Sequence, residues 1–95
     1  MSTNKVFSGK AVEKALLKKG FVKEDRDHKY FVFLYEGKKT KVKTKTSHND
    51  QDIGSSLISQ MAKQLRLDKH EFCDLINCPL TKEKYIAILK NKKEI

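Results

Sequence analysis

The residues of this chain best suited to chemistry are one histidine, one tyrosine and four lysines at regular spacing: His28, Tyr30, Lys39, Lys41, Lys43 and Lys45. An imidazole titrates near neutrality, so His28 can take a proton from a ribose 2′-hydroxyl or return one to a leaving oxygen. Lysines neutralise phosphates and stabilise charge building on a phosphorane, and a tyrosine ring stacks on an unpaired base. These groups act together only if the backbone sets them on one surface. A strand does so, because its side chains alternate faces and place every second residue about 6.5–7 Å apart. From spacing alone the plainer readings stand beside this one: His28 as a surface histidine at a strand start, and the lysines as charges that discourage edge-to-edge pairing.

The elements that must position these residues follow from periodicity. Ser8 can cap a helix running to about Lys19, with Ala11, Val12, Ala15 and Leu16 on one face and Gly20 as its stop. Phe21 and Val22 open a short charged strand through about Arg26. His28 to Tyr35 is a second strand, too short and too aromatic for a helix. Gly37 marks a tight turn, and Lys39 to Thr46 alternates lysine with threonine or valine as a third strand. Ser47 to Asp52 reads as a polar loop. Ile53, Leu57, Ile58, Met61 and Leu65 then trace an amphipathic helix. Asp68 followed by Glu71 is a capping box for a third helix carrying Phe72, Leu75 and Ile76. Pro79 ends that helix, and Thr81 can cap a last one with Tyr85, Ile86 and Leu89 inward. The expected fold is a two-layer α+β domain: helix, three-stranded antiparallel sheet, helix, and further C-terminal helices.

Strand parity decides which residues share a surface. Lys39, Lys41, Lys43 and Lys45 take one side of the third strand, and Thr40, Val42, Thr44 and Thr46 the other. Four like charges cannot be buried, so the lysine side faces solvent and helices cover the threonine side. A two- or four-residue loop at Gly37 puts His28, Tyr30, Val32 and Leu34 with the lysines and sends Phe31, Phe33 and Tyr35 into the core. A three-residue loop would invert this, since a one-residue slip flips every side chain. Two-residue connections containing glycine are the commonest, so the first assignment is the expected one.

Composition agrees with such a surface. The 95 residues carry 21 Lys+Arg against 12 Asp+Glu, a formal charge of +9, and 38% are hydrophobic. That length suits one domain and one core, so residues 1–95 are read as a single unit. The excess of positive charge favours a polyanion, above all nucleic acid, although surface lysine also serves solubility. No stretch approaches the roughly 20 apolar residues of a membrane span, and Met1 to Lys10 lacks the apolar core of a signal peptide. With two cysteines and no secretion signal, reduced thiols in a cytoplasmic protein are expected, not a disulfide framework. His70, Cys73 and Cys78 match no standard zinc spacing and lack an evident fourth ligand, so no metal is expected. Ser55 and Ser56 follow Gly54 at a helix start, where ordinary helix entrance outweighs phosphate binding. No Walker loop, nucleophile elbow or dinucleotide fingerprint occurs, and no cofactor is implied.

Three short stretches resemble a family, the HicA toxins of bacterial and archaeal toxin–antitoxin pairs. They are the helix end Lys18-Lys19-Gly20-Phe21, the run Arg26-Asp27-His28-Lys29-Tyr30-Phe31, and Ile53-Gly54-Ser55. The family has Gly-Ser-His-x-x-Phe where this chain has Arg26-Asp27-His28-x-x-Phe31, and Ile-Gly-Thr at the entrance to its second helix. Its Pro-His after the third strand is only loosely echoed by Ser47-His48. The similarity spans about residues 8–67, leaving 68–95 as a helical extension. It implies an α-β-β-β-α fold like that of the double-stranded-RNA-binding domain, metal-independent cleavage of messenger RNA with His28 catalytic, and an acidic antitoxin as partner. RNA binding would fall to Tyr30, Lys39, Lys41, Lys43 and Lys45. Two alternatives stay open at this point: an RNA-binding module of the same fold that does not cut, and a basic protein-interaction domain.

Overall fold

In a computed structural model the structure describes residues 7–46, 52–77 and 80–95. The element order is α1 (Gly9–Lys18), β1 (Phe21–Asp25), β2 (Lys29–Tyr35), β3 (Lys38–Thr46), α2 (Ser55–Gln64), α3 (Lys69–Asn77) and α4 (Lys82–Asn91). The fold is mixed α+β, with a three-stranded antiparallel sheet in the order β1-β2-β3. The Ser47–Asp52 loop (up to residue 51), the Ser47-His48 echo, Cys78 and Pro79 lie outside the described residues. None of the described helices is long and apolar enough to cross a membrane.

Local chemistry sets the helix ends. The Ser8 hydroxyl accepts from the Ala11 backbone N–H at 3.1 Å, and the Thr81 hydroxyl accepts from that of Lys84 at 3.2 Å. The capping box before α3 closes reciprocally: the Glu71 N–H donates to Asp68 at 2.7 Å, and the Asp68 N–H donates to Glu71 at 2.9 Å. Gly20, with φ +98°, ends α1, and a Cβ there would press on Phe33 Cε1 at 3.3 Å. Ile53 departs from the expected helical stripe. It pairs with Phe7 in an isolated antiparallel bridge, and α2 begins only after Gly54.

The core lies between the sheet and the helices. Phe21, Phe31, Phe33, Val42 and Thr44 are buried from the sheet; Val12, Leu16, Ile58, Met61, Phe72, Leu75, Tyr85 and Leu89 are buried from the helices. Tyr85 sits with its ring 5.1 Å from Phe33 and 6.0 Å from Phe21, so α4 belongs to the same core as the sheet. Its hydroxyl donates to the Leu65 carbonyl at 2.9 Å, and burial pushes that hydroxyl's pKa up. Cys73 is buried on α3, and His70 lies 3.3 Å from Asp74.

Lys19 is a buried cation at the end of α1. Its Nζ donates to the Leu75 and Leu80 carbonyls, 2.7 Å each, and so ties α1 to the end of α3 and the start of α4. Carbonyls at a helix C-terminus carry partial negative charge, which suits an ammonium ion. Lys19→Met should keep the aliphatic packing but leave those carbonyls without their donor. A loss of about 1–3 kcal/mol in chemical denaturation is expected.

Candidate nucleic-acid interface

The hairpin fixes the sheet faces as parity requires. Tyr35 pairs with Lys38, and the two residues between them, Glu36 and Gly37, have φ of 53° and 77°. Two consecutive left-handed residues make the primed turn that matches strand twist, and Gly37 occupies the second position without strain. Tyr30 faces Lys45, Val32 faces Lys43 and Leu34 faces Lys39, so this surface lies opposite Phe31 and Phe33. Lys39, Lys43 and Lys45 are exposed, while Phe31, Phe33 and Val42 are fully buried.

The lysine row is not uniform. Between Val32 and Leu34 the register with β3 shifts, so Thr40, Lys41 and Val42 together stand opposite Phe33. The Thr40 hydroxyl donates to the Phe33 carbonyl at 2.8 Å within this irregularity. Lys41 remains exposed, but its amine lies 3.6 Å from Glu94, beyond the end of α4. All four lysines are exposed, and Lys41 differs from the others in meeting a carboxylate of the segment after α4. Bulges at edge strands re-aim side chains in this way.

The open face also carries an acid. Glu24 of β1 is bonded to Lys39 of β3 and accepts from Arg26 at 2.6 Å. Bonding with Lys39, then with Arg26, holds its carboxyl below the ordinary range. Because β1 and β3 flank β2, the Glu24–Lys39 bond crosses the central strand. Val32, expected to lie open beside the lysines, is only 5% exposed there. Arg26 is 5.0 Å from the Tyr30 ring centroid, so one ring face already carries a cation.

His28 precedes β2 in the bend after β1, and its ring lies 6.4 Å from that of Tyr30 in an edge-on arrangement. The two form one corner of the open face. Asp27 joins them, accepting weakly from the Tyr30 hydroxyl at 3.4 Å. Desolvation pushes the Asp27 carboxyl up, but the His28 backbone N–H, the His28 charge and the Tyr30 hydroxyl bring it below its ordinary value. The phenol and the carboxylate are joined by this one weak bond, and the imidazole stands beside them against the Tyr30 ring.

A cleft of about 350 Å³ extends this surface along the β3 edge, where Tyr30, Lys43 and Lys45 meet Lys41, Gln64 and Arg66. Arg66 ends α2 in a Schellman motif: its N–H bonds the Lys63 carbonyl at 3.1 Å, and that of Leu67 bonds Ala62 at 2.9 Å. Its φ of 66° is one that glycine normally supplies, and an arginine there costs about 1–2 kcal/mol.

Tyr30, Lys39, Lys43 and Lys45 therefore share one surface with His28 at its corner, and Lys41 lines the adjoining cleft with Tyr30, Lys43 and Lys45. Sequence reasoning missed Glu24 and Arg26, although parity held the signal, since an inward Phe21 sends Val22, Glu24 and Arg26 outward. Arg66, Gln64 and Glu94 had no local signal, because only tertiary packing brings them to β3. Comparison with known proteins adds nothing further: no family model, no curated protein and no solved structure matches the chain.

Proposed function

We propose that this protein binds RNA on the open face of its sheet and cuts it there as a HicA-like messenger-RNA endonuclease. The observation that carries the reading is the meeting of His28, Tyr30, Lys43 and Lys45 on a face turned away from the buried Phe31 and Phe33. The lysines would hold the phosphate backbone, and Tyr30 would take an unpaired base on the ring face that Arg26 leaves open. The order α1-β1-β2-β3-α2 supports the same reading, being that of the double-stranded-RNA-binding-domain fold, with α3 and α4 added.

In the reaction, the ribose 2′-oxygen attacks the adjacent phosphorus and the bond to the 5′-oxygen breaks. His28 takes the 2′-proton as base or supplies one to the 5′-oxygen as acid. The products are a 2′,3′-cyclic phosphate and a 5′-hydroxyl. Cleavage assayed in EDTA should give these ends, and deoxyribose at the cut position should block it. In a toxin–antitoxin pair, an acidic antitoxin would cover the same lysines.

One observation favours the second reading, binding without cleavage. Where the resembled family has Gly-Ser before its histidine, this chain has Arg26-Asp27, and Asp27 sets negative charge beside the imidazole that must receive a phosphate. Intact RNA after incubation with a protein that binds it would assign that reading.

Binding itself should be steeply salt-dependent, each phosphate contact contributing about −0.7 to the log–log slope on single strands. Glu24→Gln should release Lys39 from its bond and steepen the slope by about 0.7. An unchanged slope would mean that Lys39 meets no phosphate.

A further inference from the structure

The cleft on the β3 edge holds a second feature that the sheet-face reading does not use. Lys41 and Arg66, both of which line it, also meet a single carboxylate oxygen, Oε1 of Glu94, at 3.6 Å and 3.1 Å. Both cations are distant in sequence from the acid. Glu94 is brought to them by the turn after α4, where its N–H bonds the Leu89 carbonyl at 2.8 Å and Lys92 donates to the Arg66 carbonyl. Donation from Arg66, with a smaller pull from Lys41, keeps this carboxyl below its ordinary range. A carboxylate oxygen held between a lysine ammonium and an arginine Nε–H has the kind of charged donors that a phosphate oxygen takes, while Arg66 is steadied by a second bond from its Nη1 to the Gln64 carbonyl at 3.0 Å. Arg66 does this from a left-handed backbone position, and strain of that kind collects at sites where a side chain must be aimed.

We propose that Lys41 and Arg66, at the border of this cleft, form a second phosphate-binding subsite for the RNA backbone, continuous with the sheet face, and that Glu94 occupies it as an internal phosphate mimic until RNA displaces it. The proposal rests on the RNA-binding reading of the sheet. The strand would pass from Tyr30 along Lys45 and Lys43 and place its next phosphate between Lys41 and Arg66, with Gln64 as a further donor. Glu94 then acts as a selectivity device. A lone anion must compete with a tethered carboxylate, whereas a strand already held on the sheet face delivers its phosphate at high local concentration.

The test is a salt titration of a labelled single-stranded RNA against wild type, Glu94→Gln and Arg66→Gly, with inorganic phosphate titrated separately while backbone amides are followed by NMR. Removing a competing surface carboxylate should tighten RNA binding about two- to fivefold, whereas Arg66→Gly, which removes one phosphate contact, should flatten the salt slope by about 0.7. Arg66→Gly relieves the left-handed backbone, so it should melt no lower than wild type yet bind RNA more weakly. Phosphate should shift the Lys41, Gln64 and Arg66 amides more in Glu94→Gln than in wild type. If all three proteins bind RNA with one affinity and one slope, the subsite is overturned while the sheet-face reading stands. If none binds RNA, the sheet-face reading falls and phosphate alone decides: larger shifts at the cleft in Glu94→Gln uphold an anion site, and equal or absent shifts overturn it.

Discussion

Replacing His28 with alanine is expected to slow RNA cleavage by about 10²–10⁴-fold, the usual contribution of a positioned acid or base. The imidazole stands at the corner of the open face, beside Tyr30 and outside the hydrophobic core. Its removal should therefore leave the melting temperature and RNA affinity near wild type. Loss of rate without loss of affinity is the signature of a group that acts only in the transition state. Asp27→Asn separates a positioning role from a catalytic one. If the Asp27 carboxylate positions the imidazole, the variant should cut more slowly while its RNA affinity stays near wild type. If Asp27 merely repels phosphate, the variant should bind more tightly and cut at least as fast. Cleavage by His28→Ala at the wild-type rate would make the histidine a bystander.

The second large effect lies in the core. Phe33→Ala should destabilise the fold by roughly 3–5 kcal/mol, as deletion of a buried aromatic does. Phe33 is fully buried on the central strand and touches both Phe21 and Tyr85, with ring centroids 5.1 Å away in each case. The cavity would open between the sheet, Gly20 and Tyr85 of α4, so it cannot close by a shift of one element. Tyr85→Phe is the milder control: it keeps the ring and removes the hydroxyl donated to Leu65, at an expected cost of about 1 kcal/mol. Denaturant unfolding of both variants measures the difference. A Phe33→Ala cost near that of Tyr85→Phe would mean that the aromatic cluster does not hold the sheet to α4.

Much of this architecture was legible because local signals agreed with one another. Ser8, Thr81 and the Asp68–Glu71 pair cap the helices where their side chains imply. Alternation along β3, carried across a two-residue turn, places Phe31 and Phe33 inside and Lys43 and Lys45 outside. What escaped were events that need two distant segments. Periodicity could not show that β3 carries extra residues opposite Phe33, because the irregularity leaves the alternation of Lys43 and Lys45 intact. Ile53 continues the spacing of α2 but is captured by Phe7, a contact with no local cue. Lys19 reads as an ordinary basic helix end until α3 and α4 close over it. At the candidate site the limit was of the same kind. The lysines were visible, while Glu24, which pairs with Lys39, and Glu94, which pairs with Lys41 and Arg66, reach them only through folding.

The central claim is that a particular face, and not overall charge, holds RNA. The direct measurement compares RNA affinity of the double variant Lys43→Gln/Lys45→Gln with that of Lys18→Gln/Lys84→Gln, which removes equal charge from exposed positions on α1 and α4. The sheet-face pair should weaken binding sharply and flatten the salt slope by about 1.4 on single strands, while the helix pair leaves both near wild type. Equal losses from the two pairs would contradict the claim and leave only diffuse attraction of a basic protein to a polyanion.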